Sequence, residues 1–258
     1  MRTNKMCAIL GNLHRYKELM PLTESRPLST LLFDCKYRLL DFNLSSIENA
    51  NIKQVYMIFN EGETQSVFDH IGGGKEWNLD GVQNRFFIHL FQDSLKQQAA
   101  GQEYYYNVID YLEKSKSEHT VYMGSNILCN IDLRALLKIH QLQNKEMTVV
   151  YKRISSDNVS DNDLIFSVDE EGHLNEAVQA KKCETESMVN LCTDIFIIKT
   201  DRLIQALKEG QAVGATPDLG RFLRERISIE NTSLYEYTGY LSNIYDIQSY
   251  YQTNMDML

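Results

Sequence analysis

The sequence is poor in proline, in paired cysteines and in long hydrophobic runs. Only three prolines occur in 258 residues, so no proline-rich linker separates two domains. The five cysteines lie far apart, without a Cys-x-x-Cys spacing or a Cys/His pattern that would hold zinc. Free thiols of this kind are typical of a reducing, cytoplasmic environment. No apolar run is long enough to cross a membrane, and the apolar segment near Met1 is too short for a signal peptide.

Positive charge is also scarce, which argues against nucleic acid or an anionic membrane as a partner. The chain has 26 Lys and Arg against 35 Asp and Glu, a formal net charge of −9. A nucleic-acid surface would instead show a basic patch or stripe. Hydrophobic residues make up 43% of the chain, an ordinary value for a folded globular protein, and the length suits one large α/β domain or two small ones.

Short apolar runs alternate with amphipathic stretches along most of the chain. The predicted strands are residues 6–10, 54–59, 86–91, 119–123, 147–152, 163–168, 173–179, 191–198 and 234–238. The predicted helices are residues 41–50, 64–71, 105–116, 133–142, 201–209, 218–226 and 246–257, with Thr200 as the cap of the fifth. This alternation predicts an α/β fold with a mostly parallel, mixed sheet and helices on both faces.

In such a sheet, ligands bind at the carboxyl ends of the strands. The loop after the first strand contains one glycine, Gly11, whereas a backbone cradle for phosphate needs several. His14, Arg15 and Lys17 follow in that loop and either hold a phosphate through their side chains or are simply solvated, which is the commoner case.

Neutral residues follow the predicted strand 119–123. A magnesium–nucleotide site there would need a carboxylate, but Ser125 and Asn126 carry none, which favours a simple turn. Asp157, Asp161 and Asp163 lack the glycine and the closing glutamate of a calcium loop and indicate a solvated acidic loop. The sequence therefore predicts no metal site.

Two further groups have structural interpretations. Tyr104 and Tyr105 open a predicted helix, where aromatic side chains usually pack, although they could line a pocket. Lys36, Arg38 and Asp41 lie just before another predicted helix, and we interpret them as a structural ion pair.

Several segments together resemble the bacterial glucose-1-phosphate adenylyltransferase (ADP-glucose pyrophosphorylase) family. They are Pro21-Leu22-Thr23 with Arg26, Lys36 to Ser45, His70 to Asp80, and Tyr250 to Leu258. The resemblance spans nearly the whole chain and implies one Rossmann-like nucleotidyltransferase domain over residues 1–258. In the family a left-handed parallel β-helix follows this domain, and its hexapeptide repeats do not occur in this sequence.

The departures from the family motifs fall on the positions that meet substrate. In the phosphate loop, the family's glycines correspond to Leu13, His14 and Tyr16, and its arginine corresponds to Glu18. The lysine that lies near the phosphates in the family corresponds to Leu28, and the segment that meets the base corresponds to the region of Tyr104. The two metal carboxylates correspond to Ser125 and Asn243, and the sugar-phosphate motif corresponds to Gln179-Ala180-Lys181. The resemblance therefore implies a degenerate cleft without catalytic residues, at positions Arg15, Lys17, Glu18, Leu28, Tyr104, Ser125, Asn126, Gln179 and Asn243.

These losses together predict that the chain alone does not transfer an adenylyl group. Loss of one preorganised electrostatic contact typically costs about 100- to 1,000-fold in rate. The combination resembles the non-catalytic D-type subunit of glycogen synthesis in Gram-positive bacteria, which pairs with an active C-type adenylyltransferase. The resemblance implies a heterotetramer in which this chain modulates ADP-glucose synthesis and needs no cofactor, while Mg²⁺ belongs to the catalytic partner.

Two alternatives stay open. The first is a divergent sugar-phosphate nucleotidyltransferase that uses Arg15, Lys17 and an unrecognised carboxylate such as Asp246. The second is a sugar-phosphate or nucleotide sensor that binds without turnover. Ser125 and Asn243 test the first alternative, because metal-dependent chemistry is excluded if both face the cleft with no Asp or Glu nearby. Thermal-shift measurements with glucose-1-phosphate, ATP and glycolytic phosphates test the second.

Overall fold

A computed structural model describes residues 5–81, 84–182 and 187–258. The strands are β1 (Met6–Asn12), β2 (Leu32–Phe33), β3 (Tyr37–Arg38), β4 (Gln54–Phe59), β5 (Arg85–Leu90), β6 (His119–Gly124), β7 (Ile127–Cys129), β8 (Met147–Ser155), β9 (Leu164–Val168), β10 (Leu174–Gln179), β11 (Met188–Lys199), β12 (Thr232–Glu236) and β13 (Leu241–Asn243). The helices are α1 (Met20–Thr23), α2 (Leu39–Asn49), α3 (Thr64–Ile71), α4 (Phe91–Ala99), α5 (Tyr106–Ser115), α6 (Leu133–Gln143), α7 (Thr200–Ala212), α8 (Leu219–Glu225) and α9 (Ile247–Asp256). None of the helices in these ranges is long and apolar enough to cross a membrane.

The main sheet is mixed, with a parallel centre. Its strands run in the order β10-β9-β11-β6-β1-β4-β5, and β8 and β12 extend it from β11. β1 is parallel to β4 and β6, and β4 is parallel to β5. β11 runs antiparallel to β6, β8 and β9. The predicted α/β architecture with a mostly parallel sheet and flanking helices is confirmed.

Two apolar layers cover the two faces of this sheet. In β1, Cys7 and Ile9 point into the layer formed with α5, α7 and α8. Met6, Ala8 and Leu10 alternate with them and pack against α2, α3 and α6. Because both faces are buried, the strand has to be apolar along its length, which is why the sequence pattern finds it readily.

The structure corrects the prediction at two helices. Helix α4 is not predicted by the pattern, since Phe91 and Leu95 are its only large apolar residues. Helix α7 begins at Thr200 with Lys199 as its N-cap residue, so Thr200 is not the cap. Thr200 is instead buried, and its hydroxyl lies 2.9 Å from that of Thr120.

A bulge in β11 places a carboxylate at the carboxyl end of β6. The pairing of β11 with β8 shifts register between Cys192 and Phe196, and Asp194 within that interval has φ of 55°. A bulge of this kind bends the strand and redirects a side chain. A Cβ atom at Gly124 would lie 2.9 Å from the Cβ of Asp194, so the glycine is needed for the two strands to approach.

Two buried histidines meet at the amino end of β6. The rings of His119 and His140 are perpendicular, with their centroids 5.3 Å apart, and His140 Nδ1 lies 2.7 Å from the Thr148 hydroxyl. Burial lowers the pKa of both histidines, and burial with the charges of His119 and Lys199 lowers the pKa of His140 to about 4. The folded protein therefore holds this pair neutral.

We expect acid to destabilise the fold through His140. The unfolded chain protonates this residue below about pH 6.5, whereas the folded chain does so only near its lowered pKa, so stability is full above that range and falls as pH drops. Between pH 8 and pH 5 the contribution lost is about 2 kcal/mol, given the folded pKa of about 4. Urea unfolding at both pH values should show a smaller drop for His140→Asn. The exposed His173→Asn variant is the control, and an equal drop in all three proteins would contradict the assignment.

Candidate functional site

A cavity of about 580 Å³ opens at the carboxyl ends of β1 and β6. We call it the cleft; its lining residues are Gly11, Leu13, His14, Tyr122, Asn162, Leu164, Gln179, Asp194, Asp218, Gly220, Arg221, Arg224 and Glu225. Ligands of open α/β sheets bind at this edge, and the volume suits a small molecule.

A tyrosine forms the floor of the cleft. The Tyr122 hydroxyl lies between two glycines, because a Cβ atom would come within 1.9 Å of it at Gly11 and within 2.4 Å at Gly220. Burial raises the pKa of Tyr122, so the hydroxyl stays protonated. Gly11 therefore makes room for a phenol ring, and a side chain at either glycine would displace it.

Three charged or polar side chains from different elements meet beside this floor. Arg224 of α8 donates to both carboxylate oxygens of Asp194, with Nε 2.7 Å from Oδ1. His14 Nε2 lies 3.3 Å from the second carboxylate oxygen, and His14 Nδ1 lies 3.4 Å from the Ser125 hydroxyl. The carboxylate is buried, so the cluster joins the loop after β1, strand β11 and helix α8 through a shielded ion pair.

The ion pair sets the charge state of its members. Burial by itself raises the pKa of Asp194, but the Arg224 charge and the hydrogen bonds from His14 and Arg224 outweigh it and hold the pKa well below the usual range. The carboxylate in turn raises the pKa of Arg224. Asp194 is therefore an anion and Arg224 a cation, and each is neutralised by the other.

The other arginines near the cleft are also paired. Arg15 donates to the buried carboxylate of Glu63, and Arg221 Nε lies 2.8 Å from Glu225 Oε1. Lys17 and Glu18 are exposed and do not line the cleft. The basic residues that the sequence offered for a phosphate are thus either paired or outside the cavity.

The neutral positions form a hydrogen-bonded group. β13 pairs with β7 so that Asn243 lies opposite Ile127. Asn126 Nδ2 donates to Asn243 Oδ1 over 2.9 Å, and Asn243 Nδ2 donates to Asp163 Oδ2 over 2.6 Å. The structure therefore brings Ser125, Asn126 and Asn243 together, with Gln179 on the cleft wall.

These residues do not fit a divalent cation. The Asp163 carboxylate lies beside Asn243, so the condition that would exclude metal chemistry, that no Asp or Glu lies nearby, is not met. Its Oδ2 atom, however, accepts hydrogen bonds from Asn243 and from the Ser160 amide, the latter over 2.8 Å. The Asp194 oxygens are taken by Arg224 and His14. Within the described residues, no three His, Cys, Asp or Glu side chains are grouped to hold a metal ion.

Of the nine predicted cleft positions, all of which the structure describes, Gln179 alone is in the lining of the cavity. Leu28 and Tyr104 are built into other parts of the fold. Leu28 is buried in a separate apolar cluster with Leu19 and Phe33. The Tyr104 hydroxyl donates to the Ala215 carbonyl over 2.7 Å, and its ring packs against Tyr105. Neither residue lines the cleft. The interpretation of these tyrosines as packing residues fits their positions, and their suggested role as pocket lining does not.

The predicted ion pair before helix α2 is also corrected. Asp41 Oδ2 accepts from the backbone amide of Arg38 over 2.8 Å, and Asp41 Oδ1 lies 2.5 Å from His70 Nε2. The Arg38 guanidinium donates to the Thr30 carbonyl instead, and Lys36 lies over the ring of Tyr37. These residues are structural, but they are not paired with one another through their side chains.

Asp246 is the N-cap residue of α9. Its carboxylate therefore has a structural partner, and it is not in the lining of the cleft, where the divergent enzyme would need it. Its side chain accepts from the Ser249 amide over 2.6 Å, and Ser249 Oγ accepts in return from the Asp246 amide over 3.0 Å. This reciprocal arrangement is a capping box.

The sequence motifs do not reveal the Asp194–Arg224 pair. Asp194 is the one carboxylate in the largely buried strand β11, and a charge inside a buried strand indicates a buried partner. That signal could identify the carboxylate, but nothing in the local pattern identifies Arg224 as the partner.

Known proteins resemble this chain in sequence. The sequence profile described as nucleotidyl transferase matches residues 17–176. The glycogen biosynthesis protein GlgD of Bacillus subtilis is 26% identical over 100% of this chain and 65% of its own length. A glucose-1-phosphate adenylyltransferase of Aliivibrio fischeri is 27% identical over 93% of this chain and 63% of its own. The chain thus spans less than two thirds of these relatives, and the resemblance found in its motifs is confirmed.

A solved structure supports the fold. The provisionally assigned glucose-1-phosphate thymidylyltransferase of Bacillus anthracis, crystallised with a sucrose, superposes with a TM-score of 0.70. The match covers 97% of this chain and 94% of that one, at 13% sequence identity.

We expect Arg224→Met to destabilise the protein by about 3 kcal/mol or more, because it leaves the Asp194 carboxylate buried without its counter-ion. Urea unfolding at pH 7 measures the loss. Arg221→Met on the same helix is the matched control, since its ion pair is exposed and should contribute less than about 1 kcal/mol.

The double variant Asp194→Asn/Arg224→Met removes both charges and should recover much of the lost stability, since asparagine also tolerates the backbone conformation at Asp194. Equal losses in Arg224→Met and Arg221→Met would contradict the assigned role of the buried pair.

Proposed function

Because the chain belongs to the nucleotidyl transferase family, we propose that it serves glycogen biosynthesis as a non-catalytic subunit of a glucose-1-phosphate adenylyltransferase. The printed names of its relatives support this, since they include glucose-1-phosphate adenylyltransferases and the glycogen biosynthesis protein GlgD. In this proposal the chain pairs with a catalytic homologue in a cytoplasmic heterotetramer, and Mg²⁺ acts in the partner.

The observation that carries the proposal is the pairing of charge in the cleft. Transfer of an adenylyl group requires cations for the phosphates and carboxylates for a metal ion. Arg224 and Arg221 are both engaged by carboxylates, and the positions Ser125 and Asn243 are neutral. To gain a cation in the cleft, a triphosphate would have to displace Glu225 from Arg221 or Asp194 from Arg224, and the second, buried pair is the costlier to break. Binding of the triphosphate is therefore disfavoured.

A subunit without turnover can still change the rate of its partner. If it binds more tightly to the active conformation of the catalytic subunit, it shifts the population toward that conformation. The size of the effect is limited by that difference in affinity; a difference of 1.4 kcal/mol corresponds to about tenfold.

The first test measures ADP-glucose formation from ATP and glucose-1-phosphate with Mg²⁺, using the intact protein alone and mixed with its catalytic homologue. We expect activity of the intact protein alone at least about 1,000-fold below that of the homologue, since several electrostatic contacts are lost together. We expect the mixture to show a higher rate or a lower substrate requirement than the homologue alone.

Heat-denatured intact protein, added at the same concentration, controls for nonspecific stabilisation of the homologue. Turnover by the intact protein alone would favour the divergent enzyme instead, and a mixture indistinguishable from the homologue would refute modulation.

Thermal denaturation tests whether the cleft still binds substrate. We expect ATP with Mg²⁺ to leave the melting temperature unchanged, because the arginines that line the cleft are already paired. A ligand that binds only the folded state raises the melting temperature as its concentration rises. A concentration-dependent rise with ATP or with glucose-1-phosphate would instead support the sensor, the second alternative drawn from the sequence.

A further inference from the structure

A second cavity of about 580 Å³ lies along β5, the edge strand of the sheet, beneath α5. We call it the edge pocket. It shares no lining residue with the cleft, and its walls include Tyr56, Arg85, Phe87, His89, Tyr111 and Lys114. The proposed function does not use it.

The walls of the edge pocket are aromatic. The ring of Tyr56 stacks on His89 with centroids 5.8 Å apart and contacts Tyr111 at 5.0 Å. Phe87 meets Tyr111 edge to face at 5.7 Å and is 37% exposed. Aromatic walls with a few polar groups are typical of sites for small organic ligands.

The rim of the edge pocket is positive, although the chain as a whole is acidic. The Arg85 guanidinium lies 5.4 Å from the Phe87 ring centroid, and no ion pair engages it among the described residues. Lys114 is close enough for the Arg85 charge to act on it, and Asp110 is the carboxylate that Lys114 contacts, at 2.8 Å. Two cations thus share one carboxylate, which leaves Arg85 available for an anion.

Tyr56 also carries a buried polar group. The Tyr56 side chain is 5% exposed, and its hydroxyl makes no hydrogen bond in the part of the chain that the structure describes. An unpaired buried hydroxyl lowers stability. Because the rings of His89 and Tyr111 pack against Tyr56, this hydroxyl lies behind the pocket wall rather than on it.

We propose that the edge pocket is a binding site for a small aromatic anion, a flat ring that carries one phosphate or carboxylate. The ring packs against the exposed ring of Phe87, and the anionic group binds the Arg85 guanidinium, whose planar donors suit both head groups. This site stands independently of the proposed function, since it uses none of the cleft residues.

Isothermal titration of the intact protein tests the proposal with phenyl phosphate and benzoate as probes. We expect saturable binding of at least one, and the two arms decide which head group the site prefers. Inorganic phosphate has the anionic group without the ring, and phenol has the ring without the anionic group. Each should bind at least about tenfold more weakly than the preferred probe. Arg85→Gln should weaken the preferred probe at least about tenfold, as expected for a charge-assisted hydrogen bond.

Arg134→Gln is the matched control, because it removes the same charge from an exposed position on α6. Tyr56→Phe should leave the affinity for the probe unchanged while keeping or raising the melting temperature, since it removes an unpaired hydroxyl behind the pocket wall. Failure of both probes to saturate wild type, or equal affinity in wild type and Arg85→Gln, overturns the proposal. Loss of binding in the cleft variant Gln179→Ala also overturns it, because the probe would then occupy the cleft.

Discussion

The buried ion pair between Arg224 and Asp194 is the interaction on which the cleft depends. It joins a bulge in β11 to helix α8, and His14 adds the loop after β1 to the same cluster. Charges removed from water are tolerated only when they are paired and hydrogen-bonded. The three elements are therefore held in one arrangement, and a ligand that competes for Arg224 must leave Asp194 buried and unpaired.

This arrangement also decides the charge that a ligand meets. The cleft lining carries three carboxylates, Asp194, Asp218 and Glu225, against the guanidinium groups of Arg221 and Arg224. The two cations are each bound to a carboxylate of the same lining, so the surplus charge is negative. A nucleoside triphosphate would enter against that negative charge. The proposal of a cleft without turnover therefore rests on how its charges are paired as well as on the neutral residues at Ser125 and Asn243.

The fold could be predicted from the sequence wherever burial imposes a simple pattern. The strand at residues 54–59 agrees with the structure because it is a continuous apolar run buried on both faces, and the helix at 64–71 agrees because its apolar residues lie on one face. The motif positions Ser125, Asn126 and Asn243 also meet as the resemblance implied. The position of Tyr104 outside the cleft could not be predicted from the sequence, because it depends on a hydrogen bond to the carbonyl of Ala215, 111 residues further along the chain.

The ion pair itself could not be predicted, since it joins residues 30 positions apart through a bulge. A bulge changes which way a strand residue points, and neither period nor composition reveals that change. Asp246 shows the opposite case, because the short spacing from Asp246 to Ser249 would suffice to indicate a cap. Local sequence patterns therefore predict helix caps and buried strands, whereas the side chains of the site are brought together by tertiary contacts that these patterns do not show.

The cleft and the core are not built from separate residues. Tyr122 belongs to the apolar layer packed against α5, α7 and α8 and also lines the cleft, whereas the charged lining residues come from the β11 bulge and helix α8. Neighbouring positions are coupled in the same way. Asn243 donates to Asp163 over 2.6 Å, so an aspartate at position 243 would place two carboxylates in contact, and one of them would have to take up a proton. The amide at 243 and the carboxylate at 163 form a matched pair, and a second carboxylate at position 243 would disrupt it.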